Sequence, residues 1–170
     1  MNPSFLGDSY DLVKRFFCFE LRALGYRVIV DPMFTGAWKG REREFFSLIG
    51  VAMDATAPPH SARTALFVDP DTGVKHKGST QHVSFDRLAQ EASSHALVFS
   101  FDHSFSRQAK PIEVMKAKLS ALKDRSCHAM YYDSHARFLF VSKHEKPLRE
   151  LRTHLVSLGL PTERLLEVGT

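Results

Sequence analysis

The chain has 170 residues, of which 44% are hydrophobic and 25% charged, and its 23 lysines and arginines exceed its 19 aspartates and glutamates. This length and composition predict one globular domain, spanning 1–170, and exclude a disordered or fibrous chain. The net charge of +4 suits a nucleic acid or a phosphorylated small molecule as partner, although the basic residues are scattered along the chain.

The first half of the chain alternates helical and strand patterns. A helix is expected over 9–24, capped by Asp8 or Ser9 and ended by Gly25, with an apolar stripe that leaves Lys14 outside. Apolar, β-branched runs that close on aspartate predict buried strands. The remaining predicted elements of this half are a strand at 26–32, a loop in MFTGAWKG, a short helix in REREFFSLI, a surface loop at 54–63 and a strand in TALFVDPD.

The second half continues the alternation and closes with a hairpin. A helix is expected from the cap Ser84 to about residue 92, and another begins at Pro111, a residue favoured at the first helical position. The other predicted elements are short strands in QHVSF and RLLEV, a buried strand at 96–103, a hairpin over 128–142 turning at 133–135 and a last helix from about Pro147. This order predicts an α/β fold. We expect a three-layer Rossmann-like sandwich with a mostly parallel central sheet and a C-terminal antiparallel hairpin at its edge.

The two cysteines, Cys18 and Cys127, fall in apolar patterns and belong to no zinc motif. Two buried free thiols are typical of a reducing compartment. The N-terminus has no signal pattern, and no apolar run approaches the roughly 18 residues of a membrane span. We therefore expect a cytoplasmic protein with no membrane partner.

Acidic residues follow each strongly apolar strand. Asp31 closes the first strand, Asp69 and Asp71 the second, and Asp102 the third, while Asp133 ends the first strand of the hairpin. Ligands of open α/β sheets bind beyond the carboxyl ends of the strands. If these strands are parallel neighbours, the carboxylates gather at one edge of the sheet.

Clustered carboxylates need a compensating cation, and their oxygen atoms suit Mg²⁺ or Mn²⁺. On this interpretation Asp69, Asp71 and Asp102 bind a divalent metal that polarises a phosphoryl oxygen. The predicted catalytic residues, which act as acid, base or further ligand, are His103, His135 and Asp133. The predicted substrate-binding residues are Lys75, Arg107 and Arg137, which hold phosphate charge, and Trp38, which walls a pocket or stacks on a base.

The same acids also fit a purely structural role. Aspartate after a strand commonly binds the backbone amides of the following turn, and Asp-Pro-Asp-Thr-Gly has the composition of a tight turn. Trp38 equally fits a loop folded onto the sheet. The chain contains no P-loop, no G-x-G-x-x-G and no G-x-S-x-G elbow, which argues against the usual nucleotide enzymes and against a serine triad.

Two resemblances bear on these alternatives. The motifs YDLVK, DPDTG, QHVSF and LVFSFDHSFSR together resemble a bacterial and phage-associated Rossmann-like family of uncharacterised proteins, and this resemblance implies no particular activity. The order of strands and helices from DPDTG onward is similar to the second half of class I methyltransferases, which implies their fold. Where those enzymes carry a glycine-rich cofactor loop after the first strand, this chain has VDPMFTGAW.

Three functions follow from the sequence. The leading hypothesis is a metal-dependent phosphoesterase or nuclease-like Rossmannoid protein that uses the strand-end acids. The alternatives are a methyltransferase-like protein with a degenerate cofactor site and a non-enzymatic interaction module in which the acids are turn residues.

Overall fold

A computed structural model of the chain describes residues 3–53, 63–104 and 110–167. Its helices are α1 (Ser9–Ala23), α2 (Glu42–Ile49), α3 (Phe85–Ser94), α4 (Pro111–Lys123) and α5 (Glu145–Ser157). Its strands are β1 (Arg27–Asp31), β2 (Thr64–Val68), β3 (Gly73–Lys75), β4 (His82–Ser84), β5 (Leu97–Phe101), β6 (His128–Tyr132), β7 (Phe138–Ser142) and β8 (Leu165–Glu167). Within the described ranges, no helix has the length and apolar character needed to cross a bilayer.

The helix ends follow from local chemistry. The Asp8 carboxylate accepts a hydrogen bond from the Asp11 N–H at 3.0 Å and caps α1, and Gly25, at φ +82°, follows its end. The Ser84 hydroxyl caps α3 in the same way, and Pro111 opens α4. These three boundaries agree with the sequence patterns and confirm the predicted helices.

Six strands form the central sheet in the order β1-β2-β5-β7-β6-β8. The first three are parallel neighbours, whereas β7 is antiparallel to both β5 and β6, and β8 is antiparallel to β6. Strand β6 therefore runs in the direction of β1, β2 and β5. The carboxyl ends of these four strands lie at one edge of a mixed sheet, and the α/β class is confirmed.

Buried residues form two clusters that share the strands between them. Ala65 and Phe67 of β2 belong to a cluster with α1, α2 and α5, whereas Leu66 and Val68 belong to a second cluster with α3 and α4. Successive side chains of a strand point to opposite faces of a sheet. The helices therefore cover both faces of the sheet, which explains why strands β2, β5 and β7 are buried along their whole length.

Two features of the topology differ from the predictions. The hairpin is present as β6 and β7, but β7 lies inside the sheet, between β5 and β6, because its five buried residues need a neighbour on each side. In addition, β3 and β4 form a separate parallel two-stranded ribbon after the second acidic turn. Each of its strands has only three residues, and such short segments carry no readable periodicity.

Candidate functional site

A cleft of about 260 Å³ opens at the carboxyl edge of the sheet, between the first turns of α1 and the residues that follow β2 and β5. We call it the α1 cleft, and its lining residues are Phe5, Asp8, Tyr10, Asp11, Lys14, Trp38, Asp71, Phe101 and His103. Larger hollows, of about 360 and 560 Å³, lie at the amino ends of β1 and β6. The smaller cleft is the better candidate because buried ionic groups and imidazoles meet there, at the edge where open α/β sheets bind their ligands.

A buried ammonium group lies between two carboxylates at the base of the cleft. The Nζ atom of Lys14 is 2.9 Å from Oδ1 of Asp11 and 2.9 Å from Oδ2 of Asp69. The exposed fraction of the side chain is 4% for Lys14 and zero for Asp69. Asp11 and Lys14 come from helix α1, at positions three apart, which lie on one face of a helix. The positive charge of Lys14 therefore lies between the negative charges of Asp11 and Asp69, and all three groups are buried.

Burial and the neighbouring charges shift two pKa values at this site. Burial alone disfavours a charged ammonium group, but the charges of Asp69 and Asp11 outweigh burial, and the pKa of Lys14 is raised. Burial raises the pKa of Asp69 to about 6, against the opposing charge of Lys14. The oxygens of Asp69 accept no regularly directed hydrogen bond within the described residues, so the contact with Lys14 is an ion pair that compensates burial only in part.

Two imidazoles contact Tyr10, and one of them, His103, also lines the cleft. The Tyr10 hydroxyl shares a 2.7 Å hydrogen bond with Nε2 of His135, and their rings stack with centroids 4.9 Å apart. His103 meets the same tyrosine ring edge-on, at a centroid distance of 5.2 Å. The two imidazole centroids are therefore no more than about 10 Å apart. Histidines separated by 32 positions in the sequence share one aromatic partner.

The Asp102 carboxylate belongs to a different, closed network below the ribbon. Its Oδ2 accepts hydrogen bonds from Nζ of Lys118 at 2.6 Å and from the hydroxyl of Tyr131 at 2.5 Å. Its Oδ1 accepts from the Val74 N–H at 3.0 Å and from the Ser104 hydroxyl at 2.7 Å. Burial lowers the pKa of Lys118 and raises that of Tyr131, and the charge of Asp102 raises both. A buried carboxylate with this many donors is fully compensated, which is typical of a structural role.

The other strand-end acids also have basic partners of their own. Asp31 pairs with Arg87 of α3, and Oδ1 of Asp133 accepts a hydrogen bond from Nε of Arg137 at 2.8 Å. The parallel topology places the predicted acids at one edge, as expected, but different cations neutralise them. Across residues 3–53, 63–104 and 110–167, no group of three or more His, Cys, Asp or Glu side chains is placed to hold a metal ion.

The predicted metal ligands Asp69, Asp71 and Asp102 therefore do not fit a shared ion in this arrangement. Lys14 lies against the first and Lys118 against the third, while Asp71 is half-buried in the α1 cleft. A divalent metal stays a prediction of the sequence, and no chemical step is derived from it.

The predicted substrate-binding residues have different positions. Trp38 lines the α1 cleft and stacks on Phe34, with centroids 5.0 Å apart, as a pocket wall that is itself buried. Lys75 is exposed at the end of β3, and Arg137 is held by Asp133. Arg107 lies outside the described residues.

Sequence reasoning missed the three α1 residues of the site. The apolar pattern of this helix leaves Lys14 outside its stripe and gives no sign of a role for Tyr10 or Asp11. Lys14 and Asp11 are buried because their charges pair with each other and with Asp69. The available signal is the Tyr-Asp-x-x-Lys spacing, which places Lys14 next to both Asp11 and Tyr10 on the helix surface, three and four positions after them.

No family model, curated protein or solved structure significantly matches the chain. The case for a function consequently depends on the geometry and charge of the α1 cleft.

Proposed function

We propose that the α1 cleft hydrolyses phosphoester bonds, with His103 and His135 as its acid–base pair. The observation that carries the proposal is that both imidazoles contact Tyr10 at the mouth of the cleft, although they lie in different loops. Imidazole is the side chain best suited to exchange protons near neutral pH. Two imidazoles that share one tyrosine, of which His103 lines the cleft, can serve the two opposite proton transfers of hydrolysis.

The reaction balances with these two groups alone. One imidazole accepts a proton from the attacking water as its oxygen bonds to phosphorus. The other, protonated, donates a proton to the oxygen of the leaving group as the ester P–O bond breaks. Water then restores the starting protonation of both. Tyr10 positions His135 through the 2.7 Å hydrogen bond, and the stacked rings hold that imidazole in one orientation.

The charges of the cleft set a condition on this chemistry. Asp8, Asp11 and Asp71 line the cleft together with the single ammonium group of Lys14. A phosphate group enters such a site only when the added negative charge is balanced. The protonated imidazole that acts as the acid supplies part of that balance. We therefore expect turnover only in the pH range where one imidazole is protonated and the other is neutral.

The walls of the cleft favour a substrate with an aromatic part. Among the rings that line it, Trp38 and Phe101 are buried, but Phe5 is exposed and Tyr10 is half-buried, and accessible aromatic side chains bind the flat faces of nucleobases. Lys75 and Arg137 are the predicted phosphate contacts. The substrate class we propose is a nucleotide or a short single-stranded nucleic acid. The two core clusters on opposite faces of the sheet support a Rossmann-like three-layer arrangement, whose ligands bind at this edge.

The experiment compares hydrolysis of bis(p-nitrophenyl) phosphate and of a mixed-sequence single-stranded oligonucleotide by the native protein, His103→Asn and His135→Asn. His128→Asn is the matched control, because His128 is exposed at the amino end of β6, opposite the cleft. Assays run between about pH 5 and 8.5, with Mn²⁺, with Mg²⁺ and with a chelator. We expect each cleft variant to lose roughly 10²–10⁴-fold in turnover, as is usual for an acid–base residue.

Two results would contradict the proposal. One is the absence of turnover of both substrates under every metal condition. The other is an equal loss of turnover in His128→Asn and the cleft variants, which would show that the imidazoles at the cleft have no special role.

A non-enzymatic interaction module is the second candidate. It is favoured by the ion pairs of the strand-end acids, since Lys14, Lys118, Arg87 and Arg137 each neutralise one of them. This candidate predicts binding of the oligonucleotide without turnover. Equilibrium binding by fluorescence anisotropy separates the two candidates, because only the enzyme also releases product.

A further inference from the structure

Strand β1 forms one edge of the central sheet. It pairs with β2 on its inner side, and in the part of the chain that the structure describes no strand pairs with its outer side. Its sequence is Arg27-Val28-Ile29-Val30-Asp31, and only Val28 of the five is fully buried. Natural edge strands usually avoid pairing by carrying a charge, a proline or a bulge in the middle. Here the middle three residues are β-branched and apolar, and the charges stand only at the two ends.

The hydrogen bonds to β2 show which backbone groups of β1 point outward. The Arg27 N–H donates to the carbonyl of Arg63 at 2.8 Å, and the Asp31 carbonyl accepts from the Asp69 N–H at 2.9 Å. In a parallel ladder the two polar groups of one residue point to the same side, and successive residues alternate. The N–H and C=O groups of Val28 and Val30 therefore point away from the sheet.

This outward edge is complementary to itself. If a second β1 approaches in the antiparallel direction with Ile29 opposite its own copy, Val28 lies opposite Val30 of the second strand. Directly opposed residues of such a pair exchange both of their N–H···O=C hydrogen bonds. The same register places Arg27 opposite Asp31 twice, once at each end, on the face that also carries Ile29.

We propose that this edge binds a second copy of the chain, forming a symmetric dimer through antiparallel β1–β1 pairing. Four backbone hydrogen bonds and two Arg27–Asp31 pairs join the copies, and their six-stranded sheets become one sheet of twelve strands. The inference is independent of the proposed function, because it uses no residue of the α1 cleft.

The charges and the space beside β1 favour this occupant. An antiparallel copy places an aspartate opposite Arg27 and an arginine opposite Asp31, so the order of charges along β1 is complementary to that of its own copy. A hollow of about 360 Å³ lies beside Tyr26, Arg27 and Val28. This hollow leaves room at the amino end of β1, where Asp31 of the second copy lies in the proposed register. Asp31 then lies between Arg87 of its own chain and Arg27 of the other.

The first measurement is sedimentation velocity of the native protein between about 1 μM and 1 mM, the span of weak to moderate self-association. We expect the mass to increase with concentration from 19.3 kDa towards twice that value. A single 19.3 kDa species at every concentration would overturn the proposal.

Charge variants test the register. Arg27→Asp places like charges opposite each other at both ends of the pair, and so does Asp31→Arg, so each variant alone is expected to weaken dimerisation at least about tenfold. A mixture of the two restores one Asp–Arg pair at each end, and we expect it to form a heterodimer of nearly native affinity. If the mixture stays as monomeric as its components, or if either variant alone dimerises like the native protein, the register is wrong.

Two controls separate this effect from loss of structure. Circular dichroism shows whether each variant is folded, and Arg87→Gln removes the intramolecular partner of Asp31 while leaving the β1 charges in place. Hydrogen exchange tests the β1–β1 pairing in the native protein, without any amino-acid substitution. The amides of Val28 and Val30 are expected to become at least tenfold slower to exchange in the dimer, and exchange independent of concentration would contradict the proposal.

Discussion

The burial of Asp69 predicts an unusual dependence of stability on pH. Burial raises the pKa of this carboxyl from its ordinary 3.8 to about 6 in the folded protein. A shift of about two units corresponds to roughly 3 kcal/mol, at 1.36 kcal/mol for each unit. Because the folded state holds this proton more tightly than the unfolded chain, the added stability is complete below about pH 4 and is lost as the pH rises through 6.

Asp69→Asn removes this titration and leaves a side chain of similar shape. We expect the free energy of unfolding of the native protein, minus that of the variant, to fall by roughly 3 kcal/mol between about pH 4 and pH 7. Urea unfolding followed by fluorescence of Trp38, the only tryptophan and a buried one, measures both proteins. Taking the difference cancels the titration of groups that do not interact with Asp69.

Asp71→Asn is the matched control, because it removes a half-buried carboxylate from the same strand end. It measures the effect of losing a charge at this position without full burial. Parallel stability curves for the native protein and Asp69→Asn would refute the reasoning. So would a difference that grows with pH, since it would mean that the ionised carboxylate stabilises the fold.

Three further predictions test the architecture around the site. In Gly73→Ala, the new Cβ collides with Oδ1 of Asp102 at a φ of +122°, so thermal unfolding should show a loss of more than about 2 kcal/mol. Gly36→Ala, with open space around it, should be nearly neutral. Asp102→Asn leaves the buried ammonium group of Lys118 without its charge partner and should lower the free energy of unfolding in urea by about 3–5 kcal/mol. The control Asp86→Asn, which breaks an exposed ion pair, should lower it by less than about 1 kcal/mol. Burial raises the pKa of Cys18 to about 12, so mass spectrometry should find this thiol alkylated by iodoacetamide only after unfolding.

The strand-end acids show what local sequence patterns can predict about this fold and what they cannot. Apolar runs closed by Asp31, Asp69 and Asp102 correctly indicated parallel strands whose carboxyl ends share an edge. Their ion-pair partners were not predictable, because Lys14 and Lys118 come from helices that precede or follow those strands by many residues. A buried lysine also contradicts the ordinary expectation for its residue type, and only the tertiary position of a carboxylate explains it.

The hairpin and the histidines show a second limit of prediction from sequence, which is that it does not give tertiary position. The apolar pattern of Phe138–Ser142 predicted a strand but not its insertion between β5 and β6, which depends on the packing of both its faces. His103 and His135 were singled out from the sequence as catalytic residues, and that role stays a prediction. Their common contact with Tyr10 was not predicted, because it depends on where α1 crosses the edge of the sheet.

We propose that His103 and His135 act as an acid–base pair at the α1 cleft. The dependence of phosphodiester turnover on pH, measured for the native protein beside His103→Asn and His135→Asn, is the decisive test of this pair. We expect a bell-shaped profile for the native protein, and loss of one limb of the profile together with most of the rate in each variant. Turnover whose magnitude and pH dependence are unchanged in both variants would contradict it.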